Sequence, residues 1–266
     1  MTPVLLVNAV GATVRMWRKP LAALAETRSW VTWDLRGLHD SPTPINDRAD
    51  PAIHAADAIA ALDHLGIEMV AVVSWSNGSR IAFELAAHHA DRVRALTVVN
   101  GGYGQSLASL VRNLEPAGAL PILAGVAKHF PSAAGTMFRQ LVARPELAGL
   151  IRQSGLAGPT ADTAVLIDMF RAMAECDTQR LLQTYEAVAG SSAADLLPTI
   201  RASTLVIAGG RDRISPHRIV DEMHAAIPAA RVQVYEAATH YLPIEYPERL
   251  ADDLGNFLSE SDQALT

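Results

Sequence analysis

Met69-Val70-Ala71-Val72-Val73-Ser74-Trp75-Ser76-Asn77-Gly78-Ser79-Arg80-Ile81 is the stretch on which the fold turns. Met69 to Val73 is an apolar, β-branched run of strand length, the pattern of a strand buried on both faces. Ile81, Phe83 and Leu85 follow as the apolar face of a helix, so the chain bends sharply between strand and helix. Such a bend crowds the backbone, and it needs small residues two positions either side of its apex. Ser74 and Gly78 meet that need around Ser76.

Outward from the bend, the alternation continues in both directions. Upstream, Val4-Leu5-Leu6-Val7 reads as a strand, Asn8 to Thr13 as its loop, Met16 to Glu26 as a helix and Trp30 to Asp34 as a second strand. After the turn-rich Ser41-Pro42-Thr43-Pro44, Asp50-Pro51 reads as a cap and first turn for a helix carrying Ile59, Leu62 and Leu65, stopped by Gly66. Downstream, Ala95 to Val99 is a strand ending at Asn100-Gly101-Gly102. The rhythm then breaks. From Tyr103 to Leu197 the chain reads as helices interrupted by Pro116, Pro121, Pro131, Pro145 and Pro159. Strands return at Thr204–Ala208 and Arg231–Tyr235, with helices at Pro216–Ala226 and through Phe257, and Ser259 to Thr266 is expected to fray. The expected class is therefore α/β: a doubly wound, mostly parallel sheet from residues 1–102 and 198–266, with a helical cap inserted at 103–197.

Composition removes several functions. With 22 basic against 28 acidic residues and no basic stripe, nucleic-acid binding is not expected. One cysteine, Cys176, leaves no disulfide framework or cysteine metal cage. The longest apolar run, Ala117 to Ala127, contains Pro121 and is too short to span a bilayer, and Met1-Thr2-Pro3 has no basic leader. The expectation is a cytoplasmic protein, off the membrane, acting on a small molecule, with a homodimer left open.

In a doubly wound sheet, reactive groups collect at the carboxyl ends of the strands. Ser76, Asp212 and His240 all fall at such ends. A serine hydroxyl needs a rigid presentation and an adjacent base, and the bend with His240 would supply both. Asp212, after Gly209-Gly210, would hold the imidazole tautomer. Two backbone N–H groups aimed at one point would receive an oxyanion: Asn77, at a helix start, and Val10, in the first loop, with Ala9 beside it. His54, His64, His88, His89 and His224 read as solvated helix faces and His39 as a turn residue; no zinc spacing is present. A mostly apolar pocket is expected from Ala9, Trp75, Met137, Phe138, Met169 and Phe170, although plain helix packing accounts for each of the cap residues as well.

With these residues in view, the chain resembles the α/β-hydrolase superfamily over nearly its whole length. The resemblance rests on Asp34-Leu35-Arg36-Gly37 with Ser41, the bend at Ser76, Arg211-Asp212 with Pro216, and His240 with Glu245 and Pro247. The order serine, acid, histidine is that of the superfamily. Asn8-Ala9-Val10-Gly11-Ala12-Thr13 with Arg15-Met16-Trp17 is similar to the corresponding stretch of the 3-oxoadipate enol-lactonase and esterase branch. Ser74 and His39 stand where glycines are usual, and the N-terminal hairpin of the superfamily is not expected ahead of Val4. The resemblance implies cofactor-free hydrolysis of a carboxylic ester or lactone through an acyl-enzyme. C–C bond hydrolysis, lyase or cyclase chemistry at the same site is the alternative, and non-catalytic ligand binding a third.

Overall fold

A computed structural model describes residues 1–43, 48–104 and 129–264. Among the described residues, six strands form one sheet: β1 (Val4–Val7), β2 (Trp30–Val31), β3 (Val70–Trp75), β4 (Val93–Val99), β5 (Ser203–Gly209) and β6 (Arg231–Tyr235). Their order is β2-β1-β3-β4-β5-β6, and every neighbouring pair is parallel. The order reverses direction between β1 and β3, the kind of switch point at which such sheets bind ligands.

Parallel strands need crossovers, and the helices that provide them bury both faces of the sheet. Along β1, Val4 and Leu6 join one core while Leu5 and Val7 join the other; Ala71, Val73 and Trp75 oppose Val70 and Val72 in the same way along β3. The first core includes α1 (Arg18–Leu24) and α10 (Pro247–Gln263); the second includes α2 (Pro51–His64), α3 (Ser79–His88) and α8 (His217–Ala226). Asp50 caps α2 by accepting from the Ile53 N–H, with Pro51 in the first turn. A short helix, α9 (Leu242–Glu245), precedes α10.

Between β4 and β5 lie α4 (Pro131–Val142), α5 (Leu147–Gln153), α6 (Thr163–Glu175) and α7 (Thr178–Gly190), the last two capped by Asp162 and Asp177. Helix α6 packs on the 3-10 turn Val14–Trp17, and α7 on α3 and the turn that follows β3. The expected helical segment around Pro116 and Pro121, the run Ala117–Ala127 and the turn residue Pro44 lie outside the described residues. No helix among the described residues is long and apolar enough to cross a membrane.

Besides the second strand, which stops at Val31 instead of Asp34, two expectations fail. Helix α10 does not fray at Ser259: it runs to Gln263, because Arg28 pairs with Asp262 at 2.9 Å and the Arg94 guanidinium donates to the Ser261 carbonyl. His54 is no solvated residue, for it is fully buried and neither ring nitrogen has a hydrogen-bond partner. It sits on the face of α2 that carries Ala55, Ala58 and Leu62 into the core.

Candidate active site

Ser76 sits at the end of β3 with φ +55°, the left-handed region that costs a side-chain-bearing residue free energy. Close packing holds it there. A Cβ on Gly78 would lie 2.5 Å from the Asn8 carbonyl oxygen and 2.7 Å from that of Val7, so only glycine lets the bend seat against the end of β1. Ser79 Oγ donates to the Ser76 carbonyl at 2.8 Å and lies 2.6 Å from the Gly102 carbonyl. Ser74, in place of the usual glycine, is fully buried, and its hydroxyl donates to the Thr97 carbonyl of β4 at 3.2 Å.

The bend presents Ser76 Oγ 2.8 Å from His240 Nε2, and His240 Nδ1 lies 2.8 Å from Asp212 Oδ2. The side chains of His240 and Asp212 are almost wholly buried. Asp212 keeps its second oxygen occupied by accepting from the Ile214 and Ser215 N–H groups at 2.7 and 2.9 Å. An anionic carboxylate held by backbone donors on one oxygen and facing Nδ1 with the other fixes the proton on Nδ1 and leaves Nε2 free to accept.

The loops that carry the acid and base are fastened by Asn100, which the sequence reading left without a role, and by Trp75 and Glu245, for which it foresaw other parts. Asn100, at the end of β4 with φ +45°, donates through Nδ2 to the Thr239 and His240 carbonyls at 2.9 and 3.0 Å. Its Oδ1 accepts from the Gly209 N–H at 2.7 Å, and its carbonyl accepts from Ser215 Oγ. One side chain thus ties the acid loop to the base loop. Trp75 Nε1 donates to the His240 carbonyl at 3.1 Å. Glu245 accepts from the Thr239 and Gly158 N–H groups, both at 2.7 Å, joining the base loop to the segment between α5 and α6. Gly209 and Gly210 let the loops meet, since a Cβ on either would lie within 2.7 Å of carbonyl oxygens in 236–239. An Asn-Gly-Gly at a strand end was the available signal for Asn100.

Of the two expected oxyanion donors, one is open and the other is engaged. The Asn77 N–H belongs to the first turn of a helix, where N–H groups have no intrahelical acceptor. The Val10 N–H, however, is already used: it donates to Asn77 Oδ1 at 2.9 Å. Sequence reading treated Asn77 as a backbone donor only and overlooked its side-chain acceptor.

Of the expected pocket residues, Ala9, Trp75, Phe138, Met169 and Phe170 share one apolar cluster with Tyr241. Phe138, Phe170 and Tyr241 form successive edge-on ring contacts at 6.3 and 6.4 Å, ending beside the His240 ring. Met137 is 47 % exposed and does not join them, because adjacent helical positions point about 100° apart. His39 takes φ +49°, with Nε2 3.0 Å from the Gly11 carbonyl and Nδ1 3.5 Å from Cys176 Sγ. A cavity of about 570 Å³ beside these residues is lined by Asn8, Thr13, Trp33, His39 and Cys176 but by none of Ser76, Asp212 or His240. Arg80, one turn beyond the bend, is 2 % exposed, with Nε donating to the Ser191 carbonyl; burial pulls its pKa down to about 9. Tyr185 on α7 lies beside both Arg80 and Asn77, and burial pushes its hydroxyl up to about 12. Among the described residues, no group of three or more His, Cys, Asp or Glu side chains is placed to hold a metal.

Comparison with known proteins agrees with this architecture. The alpha/beta hydrolase fold family matches residues 2–247. A 2-hydroxymuconate semialdehyde hydrolase of Pseudomonas putida is 31 % identical over 239 residues, covering 90 % of this chain and 79 % of the relative. A pimeloyl-[acyl-carrier protein] methyl ester esterase of Neisseria meningitidis is 27 % identical over 254 residues, covering 93 % and 89 %. The solved enol-lactonase of Burkholderia xenovorans superimposes with a TM-score of 0.76 at 22 % identity, covering 97 % of this chain and 92 % of its own, a likeness of fold.

Proposed function

The chain belongs to the α/β-hydrolase family, and from that premise we propose that it cleaves a carboxylic ester or lactone of a small, largely apolar substrate through an acyl-enzyme on Ser76. The hydrogen-bonded chain from Ser76 through His240 to Asp212, mounted on a left-handed bend, carries this reading.

Each step uses one of those bonds. Ser76 Oγ attacks the carbonyl carbon as its proton passes to His240 Nε2, and the carbonyl π electrons move onto oxygen. The Asn77 N–H and the Val10 N–H receive that oxyanion. Asp212 stabilises the imidazolium through Nδ1–H without taking its proton. Collapse of the intermediate expels the alkoxide, which takes the proton from Nε2. Water, deprotonated by the same nitrogen, then attacks the acyl-serine, and its collapse returns the proton to Ser76. In a lactone the leaving alkoxide stays tethered, and the product is a hydroxy acid. The helices between β4 and β5 act as a cap over this site, their Phe138 and Phe170 giving the substrate an apolar wall. No cofactor enters any step, and the enzyme is read as cytoplasmic.

A second reading, hydrolysis of a C–C bond beside a carbonyl, is favoured by the relative named as a 2-hydroxymuconate semialdehyde hydrolase. One set of assays tests both. Ser76→Ala should lower turnover of short esters and lactones by about 10⁴-fold or more, and a fluorophosphonate should label wild-type protein at Ser76 alone. Ester hydrolysis that survives Ser76→Ala would refute the acyl-enzyme. Turnover of a β-diketone or vinylogous diketo acid, with esters ignored, would favour C–C cleavage.

A further inference from the structure

The Val10 N–H carries one proton, and in the resting protein that proton is bonded to Asn77 Oδ1 at 2.9 Å. Val10 is 3 % exposed, so water offers its N–H little alternative. Asn77 supplies the other expected donor through its own backbone. One residue therefore builds half of the oxyanion hole and fills the other half with its side chain. The amide cannot be turned the opposite way, because a donor N–H on Val10 requires the oxygen. Its far end lies beside the Tyr185 hydroxyl of α7. The same helix, with Met173 of α6, covers the loop: a Cβ on Gly11 would lie 2.8 Å from Leu181 Cδ1 and 3.2 Å from Met173 Cγ. The carboxamide thus spans from the loop to the inserted helices, already hydrogen-bonded to the Tyr185 hydroxyl at its far end.

We propose that the Asn77 carboxamide is a built-in stand-in for the substrate carbonyl, keeping the Val10 N–H occupied until a developing oxyanion displaces it. This inference rests on the hydrolase reading above. The competition has a definite direction. A carboxamide oxygen is a better acceptor than a neutral ester carbonyl, so the ground-state substrate gains little by displacing it. A charged oxyanion forms a bond roughly twice as strong and wins the proton. The Val10 N–H is thereby reserved for the transition state, the interaction that raises turnover instead of tightening substrate binding. Asn77 is then a positioning residue that sets how strongly the site discriminates oxyanion from carbonyl. It disfavours weakly polarised carbonyls and leaves activated esters and strained lactones as the preferred class.

The test replaces Asn77 by Ala and, separately, by Met, neither of which has an acceptor to place at Val10. Freed of a competing bond worth one net hydrogen bond, KM for a phenyl or lactone ester should fall about fivefold while kcat changes less than about threefold. The Ki of an alkyl trifluoromethyl ketone, which forms the hemiketal oxyanion on Ser76, should fall by about the same factor. Amide hydrogen exchange at Val10 should quicken in both variants at unchanged melting temperature, a readout that does not depend on turnover. A KM or Ki that rises or stays fixed in the variant that folds would overturn the proposal and leave Asn77 as a strut for the loop. If the ketone fails to bind wild-type protein at all, the hydrolase reading is what fails; the exchange rate at Val10 then still decides whether the contact exists.

Discussion

His54 gives the sharpest quantitative test of the structure. It lies fully buried on α2 with both ring nitrogens unpartnered, 4.0 Å from Asp57, whose carboxylate is engaged by the Arg36 guanidinium. Burial penalises the charged imidazolium and lowers the pKa from 6.5 to about 4. The unfolded chain therefore takes up a proton near pH 6.5 that the folded protein refuses until about pH 4. Stability from this group is complete above about pH 7 and is lost as pH falls through that window. The full separation of about 2.5 pH units corresponds to about 3 kcal/mol, of which about 2 kcal/mol is lost between pH 7.5 and pH 5. Set against a total of about 5–15 kcal/mol, that is a large share. Urea unfolding followed by the fluorescence of the four tryptophans, at the two pH values, measures it. His54→Leu removes the titrating group and leaves the other acids and bases in place. The wild type should lose about 2 kcal/mol more than the variant between those pH values. Equal losses, or an NMR titration of His54 near pH 6.5 in the folded protein, would refute the burial argument.

Asp212→Asn keeps the shape of the site but removes the charge that holds the Nδ1 tautomer, so kcat should fall by about 10⁴-fold with KM little changed in steady-state assays. Gly78→Ala drives a Cβ to within 2.7 Å of two carbonyl oxygens at the end of β1; a melting temperature lowered by about 5 °C or more, with fluorophosphonate labelling lost, should follow. Asn100→Ala leaves the His240 carbonyl with Trp75 alone and orphans the Gly209 N–H, which should cost about 2–4 kcal/mol in urea unfolding and slow kcat about tenfold or more. Retention of full activity by Asn100→Ala would mean that the two loops hold their relative position without it.

Much of this was legible along the chain, and the reason is local. The strand at 70–75, the bend and the helix beyond it are written in contiguous residues, because burial on both faces demands an uninterrupted apolar run and the bend demands small neighbours. Ser76, Asp212 and His240 stood at strand ends, where a parallel sheet gathers its loops whatever the details of packing. What could not be read depended on contacts between distant segments. His54 stands at the spacing of the buried face, in line with Ala58 and Leu62, but a titratable side chain reads as solvated until Arg36 and the packing of α2 are known. The ending of α10 looked polar, yet Arg28 and Arg94, both distant along the chain, hold it in register. Asn77 offered two functional groups, and only the position of Val10 reveals that the second is engaged.

The same contrast says where changes in activity can arise without touching the reacting groups. Ser76, His240 and Asp212 come from three strands, so their mutual distances of 2.8 Å are set by how the β3, β5 and β6 ends are tied together. Asn100 performs that tying from β4, Trp75 from β3 and Glu245 from the helical side, and all three act on the backbone of 239–240. Because Glu245 also accepts from Gly158, a shift of the inserted helices reaches the base through a buried carboxylate bonded at both ends. The position of those helices and the alignment of His240 are thus mechanically linked. A Glu245→Gln change, which turns one accepting oxygen into a donor facing an N–H, should weaken that link: in steady-state assays kcat should fall about tenfold while the ester KM should hold. An unchanged kcat in a folded Glu245→Gln protein would show that the base is held by Asn100 and Trp75 alone.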